Sequence, residues 1–442
     1  MKYLESAGLL FIGLLFFIWP VPHTITIRGI LIFSCLAVFV FIAAKNASWS
    51  KRLRGLGAPF VLLFLFTLWI IIQAFFISNE TSYAMNEIIG QWGNCLAAVG
   101  IGIALGIASE KGKVLCRKNI YLLLSVALLI HVIYVDLIGL IESFKTGQLV
   151  TKISGLTDGP DKSNYISIFL LLILGTDAFV RVVYKRRMLD IGNLVLAGGL
   201  LVTFLSIYFE DMRNGTIAVT LVMVVILALF LKEANYSFSK PMVAFFAIAL
   251  ISSFVYISVK ADHKWDTVGQ TIPIALDTQH NKAWLDFSKY PLPKLPNGEP
   301  VEVSAYLRIA WMKEGIVLVM EHPFGIGFGR NSFGHGIKNK YGAESGAAHS
   351  HSGLLDIAIG TGFPGLILWI GFLFCLMVAS LRQFKMHKSC AALLLFLLVM
   401  SFSLRMSTDS IIRDHMLQQF TFLTGLLYLF MQTEQKDVGL GE

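Results

Sequence analysis

The sequence predicts an all-α polytopic membrane protein, and three observations carry that reading. Apolar residues make up 56% of the 442-residue chain and charged residues 14%, with a mean hydropathy of +0.70. A soluble domain would need more charge to cover that much apolar side chain, so lipid must cover the remainder. The apolar residues also come in runs of membrane-spanning length, with Lys and Arg mostly in the short segments between them.

A spanning helix needs roughly 20 apolar residues. Runs of that kind lie at 6–22, 26–44, 58–78, 85–108, 119–141, 164–184, 189–209, 215–231, 241–259, 353–381, 389–405 and 416–432, about twelve helices in all. The first run, Ala7 to Trp19, lacks a small-residue cleavage site and is followed at once by a second span, so it reads as a retained helix. The run at 353–381 is too long for one simple span. It contains Gly360-Thr361-Gly362-Phe363-Pro364-Gly365, which should break it, and broken helices occur where backbone lines a site.

Basic residues set the orientation. With the N-terminus in the cytoplasm, the segments Lys45 to Arg54, Lys111 to Lys118, Arg181 to Arg187, Lys232 to Lys240 and Arg382 to Lys388 all fall inside, whereas the loops at 22–25 and 79–84 carry no Lys or Arg. Both termini are then cytoplasmic. The polar segments 142–163, 209–216, 260–352 and 406–415 lie outside. The chain divides into helices over 1–259, a large outer loop with a surface helix over 260–352, and the last helices over 353–442. In the loop, Ser304 to Met320 has apolar side chains at near-helical spacing, and that helix should lie on the membrane surface. No internal repeat is visible, unlike transporters built from duplicated halves.

The net charge of +8 is explained by topology. No Arg-rich stripe with interleaved aromatics and no zinc-finger spacing points to nucleic acid. Cys35, Cys95, Cys116, Cys375 and Cys390 form no CxxC pair and read as small apolar residues.

Three outer features carry groups capable of chemistry. The first is Glu210-Asp211-Met212-Arg213-Asn214-Gly215-Thr216, where Arg213 is either a snorkelling interface residue or a functional cation on the side that usually lacks one. The second pairs Arg308, inside the apolar pattern of the surface helix, with Glu321-His322-Pro323-Phe324-Gly325-Ile326-Gly327-Phe328-Gly329. That glycine run is either a plain turn or a place where backbone N–H groups approach an anion. The third is His349-Ser350-His351-Ser352-Gly353 at the mouth of the broken helix. On the residues alone the two histidines are metal ligands short of a full set, a solvated pair, or a general base for a hydroxyl.

In this order, the features resemble the O-antigen ligase/O-antigen polymerase superfamily over about residues 150–415. In that superfamily an Arg follows one span, a second Arg precedes a Pro-x-Gly-x-Gly turn, and a His-Asn-x-x-Leu pattern opens the next helix. The first Arg falls on Arg213 and the second on Arg308. The His falls on His351, because Leu355 and Gly362 then take the Leu and Gly positions. His349 is out of register, and Ser352 stands where the family commonly has Asn. The resemblance implies a GT-C-like architecture with the large loop in the periplasm. It implies an inner-membrane ligase that transfers a glycan from undecaprenyl diphosphate to a sugar hydroxyl of lipid A–core. Arg213 and Arg308 would hold the diphosphate and His351 would act as the base, with inversion and no cofactor or metal. His349, Asp409, Arg413 and Lys162 are additional candidates. Asp161, Asp211, Asp409 and Asp414 are the carboxylates that would overturn metal independence. An O-antigen polymerase, with a second lipid-linked repeat as acceptor, is the alternative within the superfamily. A protein-glycosylating relative usually carries a larger soluble C-terminal part. A lipid-linked sugar flippase or exporter would need a continuous polar path, whereas charge here clusters at one face.

Overall fold

The computed structural model describes residues 1–78, 80–233, 265–342 and 346–438, with 245, 248–249, 252–253 and 256 between them. Among the described residues there is no strand, only an isolated bridge between Lys294 and Pro300. The helices run α1 Lys2–Ile18, α2 Ile25–Ala44, α3 Trp49–Arg54, α4 Gly57–Phe76, α5 Thr81–Ala108, α6 Arg117–Thr146, α7 Pro160–Tyr184, α8 Asn193–Glu210 and α9 Arg213–Glu233. Then come α10 Trp265–Leu276, α11 Val303–Glu321, α12 Ser332–Tyr341, α13 Gly353–His387, α14 Cys390–Thr408 and α15 Asp414–Val438. Among the described residues nine helices are long and apolar enough to cross a membrane: α2, α4, α5, α6, α7, α8, α9, α13 and α14. The expected span at 6–22 falls on α1, which has 17 residues, and that at 416–432 falls on α15. The one at 241–259 lies mostly outside the described residues.

Burial separates the centre from the rim. Most of the apolar stretch is buried in α7 (72%) and α14 (67%), whereas in α2 and α9 only 28% is buried. The rim helices therefore turn most of their apolar side chains outward, as lipid allows and water does not. The basic ends of the helices are tied to one another. Arg52 pairs with Glu110 at 2.6 Å, Glu5 accepts from the Val114 N–H, and Glu233 takes both Lys388 (2.6 Å) and the Tyr184 hydroxyl (3.1 Å). The 260–352 segment packs around a second apolar cluster. Trp284, Tyr306, Trp311, Phe333 and Ile337 meet Ala358 and Ile359 from the start of α13 there.

The helix α13 is broken at Gly362, where φ is 68° and ψ is −173°. A break frees carbonyls that need donors, since an unpaired buried backbone group is costly. The turn after α11 supplies them. The Ile326 N–H donates to Ile359 O and the Gly327 N–H to Gly360 O, both at 3.0 Å, and the Trp69 indole donates to Thr361 O at 2.7 Å. The Phe363 N–H returns a bond to Pro323 O at 2.8 Å. Of the two readings of the glycine run, this favours the turn, because the N–H groups of Ile326 and Gly327 are spent on α13. The glycines serve close approach. A Cβ on Gly362 would lie 2.3 Å from the Phe324 carbonyl carbon, and one on Gly325 would lie 2.5 Å from Gly362 N.

Gly362→Ala should therefore destabilise the protein by at least roughly 1–3 kcal/mol, the cost of forcing a side chain into this backbone region. Thermal unfolding of the detergent-purified protein checks it. An unchanged midpoint would mean that the break tolerates a side chain and that the turn does not lock it.

Candidate functional site

The two histidines sit in a loop whose backbone is fixed from three sides. Ser352 caps α13, its hydroxyl accepting from the Leu355 N–H at 3.4 Å. Ser and Asn are both good N-caps, so Ser352 can do the capping work of an Asn at this position. The Gly353 N–H donates to Asp409 O at 3.0 Å, and Asp356, buried at 5% exposure, accepts from the Ser350 N–H (2.8 Å), the Ser350 hydroxyl (2.7 Å) and the Ser410 hydroxyl. His351 itself has φ 58°, in the left-handed region that His tolerates better than most residues. Its ring lies parallel to Trp311, with centroids 5.2 Å apart and planes 7° apart, and the His349 ring meets it edge-on at 4.3 Å.

These rings open onto a cleft of about 380 Å³. Arg308 from α11 lines it, with His349 and His351 from the loop. Lys162 comes from the start of α7, and Asp409 and Arg413 from the link between α14 and α15. Six of the seven residues singled out from the sequence thus face one space. The seventh, Arg213, is the first residue of α9 and follows Met212, which lines the cleft. The start of α9 is tied to the same corner, since Asn214 donates to Thr408 O at 2.9 Å.

Three carboxylates line the cleft. Asp409 meets Arg405 at 3.3 Å and Asp414 meets Arg330 at 2.7 Å, whereas Asp161 makes no ion pair among the described residues. Asp211, in the neighbouring loop, pairs with Lys152 at 3.0 Å. Arg330 is itself held by Glu87, which takes its Nε and Nη2 at 2.9 Å each. Among the cations, Lys162 pairs with Asp158 at 2.7 Å and Arg413 donates to Asn331 at 3.2 Å. Arg308 has no ion pair or hydrogen bond among the described residues, and this leaves its guanidinium to the cleft. Among the described residues no group of three or more His, Cys, Asp or Glu could hold a metal ion.

Both histidines are driven towards the neutral form. Burial, His351, Arg413 and Arg308 lower His349 to about 3. Burial and Arg308, with Arg413 adding and Asp409 opposing, lower His351 to about 4. The His351 N–H donates to His349 Nδ1 at 3.3 Å, so the proton of neutral His349, assigned from this bond, sits on Nε2. Nδ1 of His351 is buried with no partner among the described residues.

Sequence reasoning missed three supporting residues. Arg405 is 1% exposed at the back of the site, donates to Asp161 O at 3.3 Å and stands over the Tyr165 ring at 5.6 Å. An arginine inside an apolar span was the signal available for it. Asp356 and Arg330 gave none, because their importance lies in partners distant in sequence.

Residues 198–370 match the family model described as O-antigen ligase. That stretch runs from within α8 to the second half of α13 and contains Arg213, Arg308, His349 and His351. Lys162, Asp409 and Arg413 lie outside it. No curated protein matches the chain. Over that stretch this multi-pass helical protein is similar to the O-antigen ligase family, and the match supports membership in the O-antigen ligase/O-antigen polymerase superfamily.

Proposed function

We propose that the chain is a periplasm-facing O-antigen ligase that moves a glycan from undecaprenyl diphosphate to a hydroxyl of lipid A–core in one inverting, metal-independent displacement. The observation that carries this reading is the unpaired Arg308 guanidinium facing a cleft that also holds two neutral imidazoles. The anomeric carbon–oxygen bond to the diphosphate breaks as the acceptor oxygen bonds to that carbon. The leaving diphosphate keeps the electron pair. Arg308, with Arg213 at the edge of the cleft, offers planar two-bond contacts that stabilise it. The hydroxyl proton passes to His351. His349 is poorly suited to that role, because its Nδ1 is occupied and its Nε2 carries the proton.

The low His351 pKa fits this sequence of events. Much of it comes from burial and the Arg308 charge. A bound diphosphate would cancel that charge, so the imidazole becomes a stronger base once the donor is in place.

Arg308→Lys should abolish most transfer although it keeps the charge, since an ammonium cannot make the planar contact. His351→Ala should cost about 10²–10⁴-fold in rate while donor still binds, and His349→Ala should cost much less. Initial-rate kinetics on purified variants separates these. Full activity in Arg308→Lys, or an active His351→Ala beside a dead His349→Ala, would contradict the assignment.

The pH dependence gives a second check. The reactive form of His351 is neutral, so activity is present above its pKa and lost as pH falls through it. kcat/KM, which reports the free enzyme, should hold until the medium approaches about pH 4. kcat, which reports the donor complex, should fall at a higher pH. Coincident breaks would show that donor binding does not relieve the Arg308 charge.

A further inference from the structure

We propose that a second groove, walled by Asn331, His335 and Lys338 of the α12 region and by Ala347 and Ala348, is the acceptor subsite and binds the terminal sugar of the accepting glycan. This deepens the transferase reading and rests on it. The groove has a volume of about 400 Å³, within the range of small-ligand pockets.

Its position argues for the acceptor. Ala348 lines the groove and the next residue, His349, lines the cleft. Asn331 lines the groove and takes a bond from Arg413 of the cleft at 3.2 Å. The two spaces therefore share a wall, with His349 next to the Ala348 end of the groove. The cleft borders the starts of α7 and α15 and the Met212 corner, all at membrane helices, which suits a lipid-anchored donor. The groove is built on α12 and the 346–348 strip of the outer segment, with Tyr83 and Glu80 at the start of α5 behind it.

Its construction argues for recognition. The Asn331 N–H donates to the Tyr83 hydroxyl at 2.8 Å, the Arg330 N–H to Glu87 at 2.9 Å, and the Gly334 N–H to Ala348 O at 3.3 Å. The His335 ring stacks on Tyr83 at 4.2 Å and meets Glu80 at 2.8 Å. The wall is thus anchored before any ligand arrives, and a pre-organised site binds without spending free energy on ordering itself. It offers an amide, an imidazole and an ammonium, which match the hydroxyls or acidic groups of a sugar.

Gly346 lines the groove, and among the described residues no atom lies within 4 Å of where its Cβ would stand, so a side chain there has space. Gly346→Trp should fill the groove and Lys338→Ala should remove a donor. The probe is the core oligosaccharide freed of its lipid, titrated against purified protein without donor, alongside transfer kinetics. Binding should weaken and acceptor KM should rise by about tenfold or more in Gly346→Trp, and less in Lys338→Ala. Donor KM should stay unchanged. Unchanged acceptor binding in Gly346→Trp overturns the subsite. Wild-type protein that binds the oligosaccharide through this groove but never transfers to it overturns the ligase reading and leaves the subsite standing.

Discussion

The backbone bonds between the Gly325 turn and the break in α13 hold the site together. A helix that stops at Gly362 exposes carbonyls in an apolar setting, and only another backbone brought very close can satisfy them at so little cost in volume. Ile326 and Gly327 do so. That contact fixes the end of α11 against the first third of α13. It follows that Trp311 and Arg308, on α11, come to lie beside the first residues of α13, where Trp311 stacks on His351. The interaction involves no charged side chain, yet it helps to set Arg308 beside His351.

Around that frame most of the charges are paired off. Arg405 behind Asp409 and Arg330 beside Asp414 offset two of the three carboxylates at the cleft. Arg308 has no such partner among the described residues. The arrangement suits a substrate that carries its own negative charge, and on the proposed reading the diphosphate of the donor pairs with that guanidinium. Burial, with the neighbouring arginines adding to it, favours neutral imidazoles beforehand.

Much of this was legible in the sequence because lipid imposes strong rules. Nine expected spans coincide with helices long and apolar enough to cross a membrane. The kink in α13 was readable from Gly360 to Gly365, since glycine and proline change backbone energetics locally. Arg308 and the two histidines stood out as polar groups in apolar surroundings. The gathering of Lys162, Asp409 and Arg413 beside them depends on packing among α7, α11, α14 and α15, which no local pattern encodes. The glycine turn was ambiguous for the same reason. Its composition fits an anion cradle or a backbone clasp equally, and only the position of the Gly362 carbonyl neighbours decides. Asp356 looked like any carboxylate near a helix start, although it ties Ser350 to Ser410 and so holds the histidine loop.

The central claim is that arginine, with no divalent metal, carries the leaving diphosphate. The most direct measurement is transfer by the purified enzyme from an undecaprenyl-diphosphate-linked glycan to lipid A–core in excess chelator. The account predicts that product and free undecaprenyl diphosphate form together at the rate seen without chelator. Loss of transfer, restored by adding a divalent ion, would contradict it and move the leaving-group role from Arg308 to a metal held by the cleft carboxylates.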